Sequence, residues 1–348
     1  MKLSVMINYS GDVMAAANEA IELEKAGLDC AWVAEAYSFD AISMMGYLAG
    51  RTERLEIGSA IVNVYSRTPT LLAMTAAGLD AVSGGRINLG IGASGPQVVE
   101  GFHGVPYDKP LARTKEVIDI CRRVWKREVI EHHGATVDIP LPEGQGTGLA
   151  KPLKLINTPV RDSIPIWVAS LKGKSVEATA ELADGWIPIF YVPDRADRVW
   201  GDALAAGNAK RDASLAPLQT IAGGPVLFTD DPDVPTKVND FGRSMVALYV
   251  GGMGARGKNF YNDIMSAYGW EGAAKTIQDL YLDGKKQEAA AAVPADFLAA
   301  SSLVGSEGYV KDRVAAYAES GVTHLQLTLI GSLQQKQQTL ERLRSIID

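Results

Sequence analysis

Residues 85–104 read GRINLGIGASGPQVVEGFHG, and the fold turns on how this stretch is interpreted. Gly90, Gly92 and Gly95 follow an apolar run and spell G-x-G-x-x-G, the spacing of a dinucleotide-binding loop. Such a loop normally forms the first βα turn of its fold, and an acidic residue near the end of the next strand holds the ribose. Here the glycines come in the fourth βα unit, and the next strand, IPIWVAS, ends without an acid. The stretch therefore predicts a strand and turn of another α/β fold.

On both sides of residues 85–104, short apolar runs rich in β-branched residues alternate with longer amphipathic stretches. The eight runs are residues 3–8, 30–35, 55–62, 87–93, 164–170, 185–190, 221–229 and 324–330. Near-continuous apolar strands separated by helices indicate a parallel sheet that is covered on both faces. Eight such units predict a closed (β/α)₈ TIM barrel rather than an open sheet.

The length of 348 residues suits a single barrel domain spanning residues 1–348. Two segments exceed the minimal repeat. Residues 130–161 are rich in Pro and Gly, and residues 242–294 follow the seventh strand and hold several helical patterns. Insertions that follow barrel strands lie over the C-terminal mouth, so we expect residues 242–294 to act as a lid.

Composition favours a small-molecule substrate as the partner. A net charge of −7 and an isoelectric point near 5.3 argue against nucleic acid or a membrane surface. No apolar run reaches transmembrane length, and the leading KLSVMINYS reads as a strand rather than a signal peptide. Cys30 and Cys121 are far apart and are expected to be buried packing residues in a reducing cytoplasm.

This chain lacks the residues that several catalytic chemistries require. GASGP around Ser94 is not the G-x-S-x-G nucleophile motif, and no Walker motif occurs. The four histidines, His103, His132, His133 and His324, have no zinc-ligand spacing, so no metal is expected.

Two loops are suited to bind an anion. Around Ser94 and Gly95, small residues let backbone N–H groups point at an anion where the strand ends, although a tight barrel turn would look the same. After the fifth strand, Lys172, Gly173 and Lys174 precede a helix whose N-terminus offers free donors and positive potential. The alternative for this second loop is a capped helix with solvated lysines.

The ends of the second and third predicted strands also carry candidate catalytic and ligand-binding residues. Glu35 could act as an acid or base at the mouth, or it could be a structural acid bound to a barrel arginine. Asp40 is expected to cap the helix AISMMGYLA, while Tyr37 and Phe39 either pack the loop or contact a ligand. Small residues such as Ala60 at the end of strand three suit the approach of a flat ring, or simple core packing.

The chain resembles the bacterial luciferase-like superfamily, specifically its actinobacterial coenzyme F420-dependent oxidoreductases. The blocks that carry the resemblance are WVAEAYSFDA, LEIGSAIVNVYSRTPT, LDAVSGGRINLGIGASGPQVVEGFHG, KPLARTKEVIDI, ELADGWIPIFY and ALYVGGMGARGKNFYNDI. They span essentially the whole chain. The resemblance implies a barrel, commonly a homodimer, that binds a deazaflavin in its mouth against a non-prolyl cis peptide after strand three.

Carried over by position, the resemblance places the cis bond at Ala60–Ile61, beside Ser59 and Asn63. Contacts to the phosphate tail of the cofactor fall on Ser94, Gly95, Pro96, Gln97 and Val98, and on Ser170, Leu171, Lys172, Gly173 and Lys174. Several relatives carry Asp–His where this chain has Glu35–Ala36. The usual histidine donor is therefore missing, and Glu35, Tyr37 or His103 would have to move the proton.

The function implied by the resemblance is hydride transfer between C5 of the deazaflavin F420 and a small organic substrate. Glu35 and Tyr37 would be catalytic, and Phe190, Tyr191 and His103 would line the substrate side. One alternative is an FMN-dependent monooxygenase of the same superfamily. Another is a non-catalytic barrel that binds a deazaflavin or another ligand.

Overall fold

The computed structural model describes residues 1–8 and 10–348. The strands are β1 (Lys2–Ile7), β2 (Cys30–Val33), β3 (Glu56–Ser59), β4 (Val62–Asn63), β5 (Ile87–Gly92), β6 (His132–His133), β7 (Asp138–Ile139), β8 (Ile166–Ala169), β9 (Gly185–Ile187), β10 (Gln219–Phe228), β11 (Leu303–Gly305) and β12 (His324–Leu329). The helices before β10 are α1 (Val13–Lys25), α2 (Ala41–Arg51), α3 (Pro69–Ser83), α4 (Pro96–Val99), α5 (Pro110–Trp125), α6 (Gly173–Leu182) and α7 (Ala196–Asn208). The helices after β10 are α8 (Val234–Asp240), α9 (Arg243–Ala247), α10 (Phe260–Met265), α11 (Glu271–Leu282), α12 (Lys286–Ala291), α13 (Ala295–Ala299), α14 (Glu307–Glu319) and α15 (Leu333–Ile347), with two π-helical turns, π1 (Leu248–Gly252) and π2 (Ser266–Trp270).

Within the described residues, eight parallel strands close into a barrel in the order β1, β2, β3, β5, β8, β9, β10 and β12, and β12 pairs back onto β1. Each of the eight predicted apolar runs overlaps one of these strands. The predicted (β/α)₈ barrel is therefore confirmed. The short strand β4 continues β3 and pairs with β5, and β11 pairs with the last residues of β10.

Two indole rings fill the bore of the barrel. Trp32 and Trp167 meet edge to face with their ring centroids 4.9 Å apart. Glycines on neighbouring strands make room for them, because a Cβ at Gly58 would lie 2.2 Å from the Trp32 ring and one at Gly185 would lie 2.1 Å from the Trp167 ring. His324 packs against Trp167 lower in the bore, and burial lowers its pKa to about 4. A ligand is therefore expected at the carboxyl ends of the strands.

The glycine motif of residues 90–95 is explained by packing between strands. A Cβ at Gly90 would lie 1.8 Å from the carbonyl oxygen of Ser59, and one at Gly92 would lie 3.1 Å from the Ile61 side chain. The match at residues 252–257 is also structural, since a Cβ at Gly252 would lie 2.4 Å from the Tyr281 ring. The closed barrel confirms that the motif is not a first βα turn of a dinucleotide fold.

Several helices begin with a capping side chain. Asp40 caps α2 by accepting from the Ser43 N–H, as predicted, and Thr68 caps α3 by accepting from the Leu71 N–H. The side chains of Asp12, Ser306 and Ser332 cap α1, α14 and α15 in the same way. α4 to α7 begin without a side-chain cap.

The two long segments take different positions. Residues 130–161 carry the antiparallel β6–β7 hairpin, which packs beside α5 through contacts of Glu116 with the backbone of Ala135 and Thr136. Residues 242–294 contain α9 to α12 with both π-helical turns and contact the loops that follow β8 and β9.

Two further predictions concern burial and membranes. Cys30 and Cys121 are free thiols, both fully buried, as expected of packing residues. Over residues 1–8 and 10–348, no helix combines the length and the apolar character needed to cross a membrane.

Candidate active site

The floor of the mouth lies where β3 passes into β4. The peptide bond between Ala60 and Ile61 is cis, at the position the resemblance implied. After this bond the chain enters β4, where Val62 and Asn63 pair with Ile91 and Gly92 of β5. The small residues Ala60 and Gly92 thus lie at neighbouring strand ends of the mouth.

Ser59 holds β3 against β5 from inside the barrel. Its hydroxyl donates to the carbonyl of Gly90 at 2.7 Å and accepts from the Gly90 N–H at 2.9 Å, and the side chain is fully buried. Both hydrogen-bonding functions of Ser59 are used within the sheet. Its position supports the shape of the floor rather than direct contact with a ligand.

Asn63 carries an unpaired donor at the mouth. Only 3 % of the residue is exposed, and its Oδ1 accepts from the Tyr65 N–H at 2.9 Å. Its Nδ2 is buried and has no hydrogen-bond partner among the described residues. Leaving a buried donor unpaired costs on the order of 1–3 kcal/mol, and a ligand that accepts this hydrogen bond would recover that cost.

The two predicted anion loops leave adjacent strands at the same level, because Gly92 of β5 pairs with Ala169 of β8. In the first loop, Ser94 has a positive φ of 58°, and Gly95 is the N-cap of α4, which carries Pro96, Gln97 and Val98. These loop residues are mostly exposed. Both loops therefore open to the same side of the mouth.

The second loop ends at the uncapped start of α6. Ser175 and Val176 donate their N–H groups back to the carbonyl of Lys172. The N–H groups of Gly173 and Lys174, the first two residues of α6, lie where a helix provides no internal partner. An anion bound here would meet both N–H groups and the positive end of the helix dipole.

Ser170 and Leu171 support this loop from behind. Thr179 donates its hydroxyl proton to the carbonyl of Ser175, so the Ser170 hydroxyl is the donor in its 2.8 Å bond to Thr179. The Leu171 carbonyl accepts from the indole of Trp200 at 3.0 Å. These contacts fix the backbone that leads to α6.

Glu35 forms a paired, nearly buried carboxylate. Arg67 donates from Nη1 to Oε1 at 2.5 Å and from Nη2 to Oε2 at 2.8 Å, and the Ala41 N–H donates to Oε2 at 2.9 Å. The hydrogen bonds to Glu35 raise the pKa of the Arg67 guanidinium. This is the geometry of the second alternative, a structural acid bound to a barrel arginine. Both carboxylate oxygens of Glu35 accept hydrogen bonds in these contacts, and this arrangement disfavours proton transfer by Glu35.

Tyr37 and His103 lie on an aromatic rim formed by the loops after β2 and β5. The Tyr37 ring lies 6.3 Å from that of Phe102, and Phe102 lies 5.3 Å from His103. Tyr37 is 69 % exposed and Phe39 is 79 % exposed. The structure brings Tyr37 and His103 together through Phe102, at the outer edge of the mouth.

Phe190 and Tyr191 are neighbours in sequence that point to different layers. Phe190 has a positive φ of 52°, and its ring meets Tyr249 of π1 and Tyr261 of α10 edge-on, at 5.8 Å and 6.1 Å. Tyr191 stacks on Trp200 at 5.9 Å among the outer helices. Its hydroxyl donates to the carbonyl of Ser320 at 2.9 Å. Phe190 faces the insertion, whereas Tyr191 is buried among the outer helices by helix packing.

The chain matches the luciferase-like monooxygenase family over residues 1–324. It belongs to this family. A protein of Mycobacterium tuberculosis with the provisional name coenzyme F420-dependent oxidoreductase is 37 % identical to it over 96 % of each chain. A 5,10-methylenetetrahydromethanopterin reductase of Archaeoglobus fulgidus is 26 % identical and covers 87 % of this chain and 85 % of its own.

The same fold occurs among solved structures. The F420-dependent tetrahydromethanopterin reductase of Methanopyrus kandleri superposes with a TM-score of 0.77 at 20 % identity, covering 98 % of this chain and 96 % of its own. At that identity the match supports the luciferase-like barrel and carries no information on the substrate.

Two aromatic residues of this luciferase-like mouth were not singled out in the sequence. Tyr107 donates to the Ser94 carbonyl at 3.4 Å, and Tyr261 packs against Phe190. Burial, together with the nearby Tyr249 and Tyr107 phenols, raises the pKa of Tyr261 to about 12. The sequence signals for Tyr261 were that GKNFYND lies in an insertion after a barrel strand and belongs to a block that carries the family resemblance, which implied a place on the substrate side.

Proposed function

We propose that this protein is a coenzyme F420-dependent oxidoreductase that transfers a hydride between C5 of the deazaflavin and a small organic substrate. The observation that carries the proposal is the buried, unpaired Nδ2 of Asn63 at the strand ends, which calls for an acceptor. The rim of a deazaflavin ring carries such acceptors. The name of the Mycobacterium relative supports F420 as the cofactor.

The residues of the mouth divide the binding of this cofactor between a ring site and a phosphate site. Asn63 would donate to the ring, which would lie over the Ala60–Ile61 turn. Backbone N–H groups at Gly95, Gly173 and Lys174 would receive the phosphate tail, and the Lys172 and Lys174 side chains would add positive charge. When bound, the deazaflavin supplies or accepts the hydride.

Water exclusion would come from the aromatic residues of the insertion. Phe190, Tyr249 and Tyr261 form a cluster of ring contacts between 4.8 Å and 6.1 Å at this mouth. Such a cluster suits an apolar substrate held against the cofactor ring.

A second candidate is an FMN-dependent monooxygenase, which the description of the matching family favours. FMN also has a phosphate and ring acceptors for Asn63, so both anion loops and the ring site would serve it equally. A non-catalytic deazaflavin carrier would use the same contacts without turnover.

We also propose that the chain is a single cytoplasmic barrel domain with insertions at residues 130–161 and 242–294, and that it forms a homodimer. Leu71, Met74 and Val82 are exposed on one face of α3, which supports a self-association surface. Sedimentation at several protein concentrations tests the dimer.

The first test is titration of the purified protein with F420 and separately with FMN, following fluorescence quenching. Tight F420 binding with weak FMN binding supports the proposal and leads to screening acceptors with reduced F420. Preference for FMN selects the monooxygenase. F420 binding without turnover of any acceptor selects the carrier, and binding of neither cofactor refutes all three.

A further inference from the structure

We propose that Tyr261 donates the proton to a carbonyl oxygen of the substrate during hydride transfer. This inference rests on the proposed function and names a residue for the step that the missing histidine leaves open. It also commits to a substrate class, a ketone or an enone, because hydride addition to either one leaves an alkoxide or enolate oxygen that a phenol can protonate.

The imidazoles are held elsewhere. Position 36 is alanine, and His324 lies in the lower bore beside Trp167, neutral because burial lowers its pKa to about 4. His132 lies in the β6–β7 hairpin, 3.4 Å from Glu116 of α5. His103 packs edge-on against Phe102 in the outer rim. None of these contacts directs an imidazole to the cluster formed by Phe190, Tyr249 and Tyr261.

Three other phenols and the carboxylate of Glu35 have hydrogen-bond partners. Tyr65 donates to the carbonyl of Asp108 at 2.6 Å, Tyr107 donates to Ser94, and Tyr191 donates to Ser320. Glu35 accepts from Arg67 and Ala41. By contrast, no hydrogen bond within the described part of the chain uses the hydroxyl of Tyr261.

Neighbouring contacts place Tyr261 above the strand ends. Its ring centroid lies 6.1 Å from Phe190, which follows β9, and 4.8 Å from Tyr249. The preceding residue, Phe260, has the Nζ of Lys172 over its ring face, 3.8 Å from the centroid. Lys172 is the residue before α6, so the start of α10 lies beside the proposed phosphate site. Tyr261 is therefore near both the proposed phosphate site and the substrate side.

The protonation state of Tyr261 suits a donor. With a pKa of about 12, raised by burial and by Tyr249 and Tyr107, the phenol carries its proton throughout the neutral range. In the step, the carbonyl carbon receives the hydride and the π electron pair moves onto oxygen. That oxygen takes the Tyr261 proton, giving an alcohol. The carbonyl is reduced by two electrons, the reduced deazaflavin is oxidised, and the tyrosinate regains a proton from water.

Tyr261→Phe tests the inference, because it removes the hydroxyl and keeps the ring contacts. Tyr191→Phe is the matched control, a phenol among the outer helices whose proton is already donated to Ser320. With reduced F420 and cyclohexanone or cyclohex-2-en-1-one, we expect Tyr261→Phe to lower kcat about 100-fold or more, the usual contribution of a general acid. The Kd for F420 should stay within about twofold of wild type, since the donor acts on substrate alone. A kcat within threefold of wild type would overturn the inference.

A readout independent of turnover is the infrared C=O stretch of cyclohex-2-en-1-one bound to protein loaded with oxidised F420. A hydrogen bond from Tyr261 lowers the frequency in wild type and in Tyr191→Phe, and Tyr261→Phe should lose this shift. The same frequency in all three proteins, or an unshifted carbonyl in wild type, overturns the inference while F420 binding still supports the proposed function. Failure of the wild-type protein to bind F420 would overturn both the proposed function and the inference on Tyr261.

Discussion

The helix starts on the two sides of the barrel are built differently. α14, α15, α1, α2 and α3 follow one another around one side, and each begins with a Ser, Thr or Asp side chain that accepts a backbone N–H. On the other side, α4, α5, α6 and α7 have no such cap. A missing cap costs about 1 kcal/mol of stability at α5, α6 and α7, and only about a few tenths at α4, where the N-cap is Gly95.

This difference divides the mouth into two halves. In one half, side chains of the protein accept hydrogen bonds from the helix N-termini, and in the other half the helix N-termini lack such caps. On the capped side, Glu35 adds a second acceptor at the start of α2, because it accepts from the Ala41 N–H and also pairs with Arg67. On the open side, Lys172 occupies the N-cap position of α6 without a capping hydrogen bond, and the first N–H groups of this helix would be available to the proposed phosphate. Stability and ligand binding should therefore respond in opposite ways to changes on the two sides.

The largest effect is expected from Glu35→Gln on the capped side. Breaking the nearly buried pair leaves Arg67 without its anion and should lower the free energy of unfolding by about 3 kcal/mol. Urea unfolding measures the change, and Glu307→Gln, at an exposed surface pair, is the control with a much smaller effect. F420 affinity of the folded fraction should be unchanged. A 100-fold loss of kcat in a fully stable variant would instead return Glu35 to a catalytic role.

Lys172→Asp should convert the open start of α6 into a capped one. The new carboxylate would accept from the helix N–H groups and repel a phosphate, so the Kd for F420 should rise about 100-fold. The same variant should be more stable than wild type by up to about 1 kcal/mol. Fluorescence titration and thermal unfolding measure the two quantities. Unchanged affinity would mean that the phosphate does not bind at α6.

Asn63→Asp separates the donor from the acceptor at the ring site. The carboxylate keeps the acceptor for the Tyr65 N–H and removes the unpaired Nδ2 donor. F420 affinity should fall about tenfold, the equivalent of one lost hydrogen bond. Asn88→Asp, deeper in the barrel, is the control for a buried amide away from the strand ends. Equal loss in both variants would point to general disruption of the barrel.

Asp40→Ala should have the smallest effect. Removing the cap of α2 is expected to cost about 1 kcal/mol of stability, visible as a lower midpoint of thermal unfolding. F420 affinity should not change, because α2 belongs to the closed side. A matching loss of affinity would show that the two sides are coupled.

Local patterns determined much of the fold from sequence alone. The eight strands and the cap at Asp40 were predictable because strand periodicity and capping act over a few residues. The cis bond at Ala60–Ile61 followed from the resemblance. The position of the G-x-G-x-x-G motif in the fourth βα unit was enough to reject a dinucleotide-binding loop.

Tertiary structure decided which side chains share the site. Glu35 had two open alternatives until Arg67, thirty-two residues away, was found against it. Phe190 and Tyr191 are adjacent in sequence, yet packing sends one to the mouth and the other to the helix layer. Tyr261 gained a role only from contacts between an insertion and distant strand ends. Such contacts depend on how remote segments pack, and no periodicity within one segment records them.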